Sequence, residues 1–267
     1  MADIVRRINA RFSEGRASNN IEEAGVLLRT FEGQAGRHSA AWEPCAEDEF
    51  CSRASDRLAA SILNPRMPHP WSYDAGGIII SPGLARLFCS YHGDGNNFGK
   101  RFCKRPTEWL KMPVEYEADG RCVPGCTSRF GWCDDLYQPC PLCEQVHCAW
   151  RASGLAKMIE AHESKLSRWR EQGHSCAKGG HLGRSSCHNE VVLDAVQWTS
   201  QMPSTIEAFF YQRTSSAASV AQARREHAAF LQRYHLGDER VPLVVYDRGA
   251  RDPLAPFELD AGGDATA

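Results

Sequence analysis

The pattern that most constrains the fold is an apolar strand, a helix and a second apolar strand in the last third of the chain. Residues 205–211 and 241–246 are apolar runs of strand length, and 217–234 repeats apolar residues at helical spacing. When a helix connects two strands of one sheet, the strands lie parallel and the connection is a right-handed crossover. Residues 205–247 therefore predict a βαβ unit within an α/β fold, or an α+β fold, built on a mixed sheet.

Other elements are predicted upstream of this unit. The acidic start of residues 47–63 favours a helix there, because the helix dipole stabilises carboxylates at its first turn. Apolar spacing predicts further helices over 2–12 and 152–171, and strands over 24–31, 76–81, 86–91 and 191–194.

Residues 92–150 break these patterns, because glycine, proline and cysteine dominate and no apolar period is present. We expect an irregular, cysteine-stapled insert within one α/β domain that spans residues 1–250. A flexible tail is expected over 251–267, where small and polar residues dominate the end of the chain. Of the twelve cysteines, one dense cluster lies in the insert: Cys122, Cys126, Cys133, Cys140, Cys143 and Cys148.

Cysteines this dense are cross-linked, metal-bound or reactive. Two pairs, Cys122 with Cys126 and Cys140 with Cys143, resemble the ligand set of a zinc ribbon. The first pair has three intervening residues where two are commoner, and Glu144 follows the second pair where glycine is usual. Zinc therefore remains an alternative cofactor, and a redox-active dithiol at Cys140 and Cys143 is a third interpretation.

Disulfides are the favoured interpretation, with no metal or cofactor. Zinc would use four cysteines and leave eight unexplained, whereas disulfides account for the isolated ones as local loop closures. The closures suggested by spacing are Cys45 with Cys51, Cys89 with Cys103, and Cys176 with Cys187.

The expected location follows from the state of the cysteines. Disulfides predict an extracellular protein or one of an organelle or secretory lumen, if a leader has been removed, and zinc predicts a cytoplasmic one. The net charge of −2 lacks the basic footprint of a nucleic-acid binder. No run approaches the roughly 20 apolar residues of a membrane helix, so no membrane span is expected.

Candidate ligand-binding residues follow the strands of the βαβ unit and the strand before it. Ligands of open parallel sheets bind beyond the carboxyl ends of the strands, where this chain has Asp194, Arg213, Ser215 and Asp247. Arg213 next to a hydroxyl-rich helix start suits a phosphate or a carboxylate. The alternative is that the hydroxyls cap the helix and that Arg213 is a solvated turn residue.

Several short segments spread over most of the chain form a recognisable set: Ala24–Leu28, Gly76–Pro82, Cys89–Tyr91 with Asp94-Gly95, Gly125–Thr127, Trp132-Cys133, Asn189–Asp194 and Ile206–Tyr211. Together they resemble a group of cysteine-containing proteins predicted from marine unicellular algae. The resemblance implies a lineage, and it carries no functional residue over to this chain.

Two functions remain open at this point. The first is a non-catalytic binding or structural protein, a subunit of a larger assembly, whose disulfide-rich insert meets a protein partner or a glycan. The sequence contains no recognisable catalytic motif, which favours this interpretation. The alternative is a luminal or extracellular enzyme that acts on glycans, or on another polar or anionic ligand, at the carboxyl edge of the sheet.

Overall fold

The computed structural model describes residues 1–31, 57–70, 75–91, 150–151, 154–171, 187–194 and 200–262. The helices are α1 (Ala2–Glu14), α2 (Ile21–Ala24), α3 (Leu155–Glu171) and α4 (Ala217–Tyr234). The strands are β1 (Val26–Thr30), β2 (Arg57–Leu63), β3 (Gly77–Ile80), β4 (Leu87–Tyr91), β5 (Trp150–Arg151), β6 (Glu190–Asp194), β7 (Ile206–Gln212), β8 (Leu243–Tyr246) and β9 (Phe257–Leu259).

The strands form one mixed sheet in the order β5-β4-β6-β2-β1-β3-β7-β8-β9. Among the described pairings only β7 and β8 run parallel, with Phe209 opposite Leu243, while the others are antiparallel. The helix α4 connects these two strands and packs on β7. The predicted βαβ unit and the mixed α/β sheet are therefore confirmed.

Helices cover both faces of the sheet, and each face has its own apolar core. Alternate residues of a strand point to opposite faces, so Leu27 and Leu28 of β1 belong to different cores. Helix α1 packs on the Leu28 side, and α3 and α4 pack on the Leu27 side. The α1 residues buried there are Ile4, Ile8 and Phe12, and those of α3 and α4 are Leu155, Met158, Ile159, Leu166, Ala223 and Phe230.

The predicted helix over 47–63 is wrong in its second half, where β2 pairs with β6 and then with β1. Ala60 and Ile62 are buried in one core and Leu63 in the other. Because both faces of β2 are covered, its sequence lacks the polar and apolar alternation that marks a half-exposed strand. Its alanines and the acidic stretch upstream are instead typical of a helix. Residues 47–56 lie outside the described part.

Residues 257–259, within the stretch 251–267 that was predicted as a flexible tail, form a strand. Strand β9 pairs with β8, and Phe257 is buried beside α1. Asp260 then accepts hydrogen bonds from the Tyr211 hydroxyl at 3.0 Å and from Arg224 Nε at 3.2 Å. These contacts attach residues 257–260 to β7, β8 and α4. A strand of three residues such as β9 is too short to show a sequence signature, because its partner strand supplies the ordering.

Candidate functional site

The structure brings together two of the four predicted ligand-binding residues, Arg213 and Asp247. They follow the parallel neighbours β7 and β8, and Arg213 Nε lies 2.6 Å from Asp247 Oδ2. A second guanidinium nitrogen of Arg213 pairs with Glu258 on β9. The sequence analysis missed Glu258 because it assigned that segment to the tail. A carboxylate on each side therefore offsets the charge of Arg213.

The polar groups that follow β7 and β8 also form hydrogen bonds that stabilise turns and the start of α4. Asp247 Oδ1 also accepts a hydrogen bond from the Gly249 amide at 2.8 Å. The Ser215 hydroxyl accepts one from the Gln212 amide, and Ser216 caps the start of α4. These interactions favour the capping and turn interpretation over an open anion site.

Asp194, the fourth predicted residue, is separated from this group. It ends β6 and pairs in register with Arg57 of β2. Three strands, β2, β1 and β3, lie between β6 and β7, so at ~4.8 Å per strand Asp194 is about 19 Å from the end of β7. The predicted four-residue site is thus not one site, because strand order does not follow chain order.

Arg213→Gln is expected to lower the free energy of unfolding by no more than about 1 kcal/mol, the usual contribution of a half-exposed ion pair. Arg213 is 52% exposed in the pair with Asp247. Urea denaturation at low and high salt measures this loss, and added salt should shrink the difference from the unchanged protein. A loss of several kcal/mol that is independent of salt contradicts this expectation.

The cysteine predictions mostly fall on undescribed parts of the chain. Cys122, Cys126, Cys140 and Cys143 lie outside the described residues, so the zinc alternative and the stapled insert stay predictions. Cys187 is fully buried and disulfide-bonded, while the side chain of Cys176 is not described. Within the described ranges no cluster of histidine, cysteine and carboxylate side chains suits a metal ion, and no helix could span a membrane.

A polar groove of about 500 Å³ lies between the turn after β2 and one face of α3, and we name it the α3 groove. Its volume is in the range of small-ligand sites. The α3 residues that line it recur at spacings of three and four, which places them on one face of the helix. The groove is lined by Pro65 and Arg66 of the turn and by Glu160, Glu163, Ser164, Ser167 and Arg170 of α3.

The charges that line the α3 groove are unevenly paired. Arg66 bridges the groove to Glu163 at 3.1 Å, and Glu160 pairs with Lys157 at 3.0 Å. Arg170 forms no ion pair or hydrogen bond within the part of the chain that the structure describes. Glu160 and Glu163 are thus each paired with a basic side chain, and the Arg170 end of the groove carries an excess positive charge.

A second arginine reinforces this positive end. Arg248, in the turn after β8, contacts His69 Nδ1 at 3.2 Å. Burial, Arg248 and Arg170 together lower the pKa of His69 to about 4. The imidazole is therefore neutral at pH 7, and its Nδ1 accepts from the Arg248 guanidinium. Two arginines from distant segments converge on one neutral histidine beside the groove.

The apolar inner face of α3 also carries two polar side chains. His162 is fully buried and Lys165 is 2% exposed, although both lie on the apolar stripe of the helix. Burial lowers the pKa of Lys165 to about 7. The apolar spacing of α3 includes the position of His162, in agreement with its burial. It did not single out Lys165, whose burial the sequence does not mark.

No family model matches the chain, and neither a curated protein nor a solved structure matches it.

Proposed function

We propose that the protein is a non-catalytic binding protein and that the α3 groove binds its polar partner. The observation that carries this proposal is the combination of an accessible groove of ligand size with an exposed arginine, Arg170, that the described fold does not use. Specific polar groups in a concave surface fix the orientation of a ligand. The partner class that we favour is a glycan.

The groove also contains an acceptor that the described residues leave unused. Glu163 Oε2 pairs with Arg66, whereas Glu163 Oε1 is buried and accepts no hydrogen bond from them. Buried carboxylate oxygens without a donor are costly, so a donor from outside the described fold is favoured there. Ser164 and Ser167 add hydroxyls that both donate and accept. Such a lining suits a ligand with several hydroxyl groups.

The carboxyl edge of β7 and β8, where the enzymatic alternative places its ligand, offers few free polar groups among the described residues, and this favours the binding role. Arg213, Asp247 and Ser215 are engaged with neighbouring groups of the fold. A ligand at this edge would have to displace existing ion pairs before it gained any new ones. The insert remains a candidate for an additional protein interaction.

We also propose an oxidising location, the exterior or the lumen of the secretory pathway or an organelle. The disulfide at the buried Cys187 supports it, because structural disulfides persist mainly in such compartments. Intact mass before and after reduction counts the hydrogens gained and so the disulfides present. A fully reduced chain in its native compartment contradicts this location.

Ser167→Trp is expected to abolish glycan binding, because the indole fills the groove from the exposed face of α3. The measurement is binding to a printed panel of neutral, uronate-containing and sulfated oligosaccharides. Ala229→Trp is the matched control, since it adds the same bulk to an exposed position of α4 that does not line the groove. Undiminished binding by Ser167→Trp, or no binding by the unchanged protein, overturns the proposal.

A further inference from the structure

The α3 groove has chemically different ends. At one end Arg66 and Glu163 neutralise each other across the groove, and the buried Glu163 Oε1 accepts no hydrogen bond from the described residues. At the other end Arg170 has no carboxylate among the described residues, and Arg248 lies near enough to act on the same histidine. A ligand complementary to both ends needs a hydroxyl donor and an anionic group.

We infer that the α3 groove binds an acidic sugar, with its anionic group at Arg170 and a hydroxyl at Glu163. This inference rests on the proposed function and names the class of its ligand. The guanidinium of Arg170 can form paired hydrogen bonds to a carboxylate or to a sulfate, and both oxyanions share that chemistry.

Local and global charge together favour a small acidic ligand over a polyanion. The whole chain carries a net charge of −2, which gives no net long-range attraction to a long polyanion. The positive end of the groove is the single arginine Arg170 of α3, and Arg248, in the turn after β8, acts on the same histidine. An acidic peptide is a less suitable occupant, because Pro65 is the only apolar residue among the described residues that line the groove, and peptide grooves usually offer apolar pockets.

His69 has a positioning role in this arrangement. Its neutral ring accepts from Arg248 and therefore holds that guanidinium in place without adding a charge of its own. Pro68, the residue before it, is itself fixed, because its carbonyl accepts the Tyr246 hydroxyl at 2.8 Å. The positive end is thus anchored to the sheet.

The test uses isothermal calorimetry with trigalacturonate and its uncharged methyl ester, and with a sulfated oligosaccharide and its unsulfated form. The unchanged protein should bind at least one acidic form better than its neutral counterpart, and more weakly as salt is raised. Arg170→Gln should bind that acidic form about tenfold to hundredfold more weakly, as expected for one lost charge-assisted contact. The carboxylate and sulfate arms identify which oxyanion is preferred.

Arg168→Gln is the matched control, because Arg168 is exposed in the same turn of α3 but does not line the groove. It should bind like the unchanged protein. Equal binding of charged and neutral sugars, or full binding by Arg170→Gln, overturns the acidic-sugar inference. If Ser167→Trp still loses the sugars in that case, the proposed function stands without it. If a phosphopeptide binds and no sugar does, the inference fails as well.

Discussion

Replacing Phe209 by alanine is expected to lower the free energy of unfolding by about 3–5 kcal/mol, the usual cost of removing a buried aromatic ring. Phe209 lies on β7, the strand that joins the antiparallel part of the sheet to its parallel pair, and it is fully buried. Its ring centroid is 6.2 Å from Phe31, 5.3 Å from His227 and 5.2 Å from Phe230. The truncation therefore leaves a cavity between the sheet and α4.

The measurement is urea denaturation followed by circular dichroism. A domain stabilised by about 5–15 kcal/mol loses a large share of its stability in this variant. Leu254→Ala is the control, since Leu254 is 51% exposed and its truncation should change stability by no more than about 0.5 kcal/mol. Phe209→Leu should be less destabilising than Phe209→Ala. A cost below about 1 kcal/mol for Phe209→Ala contradicts the packing described for β7 and α4.

Replacing Lys165 by methionine is expected to remove a rise in stability between pH 7 and pH 10. Burial lowers the pKa of Lys165 from 10.5 to about 7 in the folded protein. The unfolded lysine keeps its proton up to about pH 10.5, so the unfolded state binds more protons in this window. Stability due to Lys165 therefore rises with pH above 7 and is lowest below pH 7, where the buried amine must carry a charge.

The expected size of this stability change follows from the difference between the folded and unfolded pKa values of Lys165. At about 1.4 kcal/mol per pKa unit, the change across this window is on the order of 4 kcal/mol as an upper value. The free energy of unfolding is measured for both proteins at pH 6.5 and pH 9.5. Lys157→Met is the matched control, because Lys157 is on the same helix but 56% exposed, and it should keep the pH dependence of the unchanged protein. Parallel pH profiles for the unchanged protein and Lys165→Met contradict the assignment.

The local elements were largely readable from sequence, because hydrophobic periodicity is a local property. The helix over 217–234 and the parallel pair around it were predicted with nearly their observed bounds, since α4 buries one face on a strand of the same unit. Strand β2 was not predictable in this way. Its edges pair with β1 and β6 and its residues are buried in the cores on both faces of the sheet, and no periodicity within residues 57–63 indicates that.

The residues of the candidate sites also differ in how far the sequence predicts them. Arg213 and Asp247 could be paired in advance, because parallel neighbours bring the residues after them to one edge. Their partner Glu258 could not, since it belongs to a three-residue strand with no pattern of its own. Nor did the exposed face of α3 stand out. Its alternating charges are what any solvated helix face shows.

The sequence by itself determined the class of fold, the βαβ unit and the apolar stripes of the helices, because each depends on residues close together in the chain. Only the tertiary structure decided which charges meet. Arg66 meets Glu163 across almost one hundred positions, and His69 contacts Arg248 and is also influenced by the charge of Arg170. Their proximity depends on strand order and on the path of the chain between β2 and β3, neither of which a local pattern encodes.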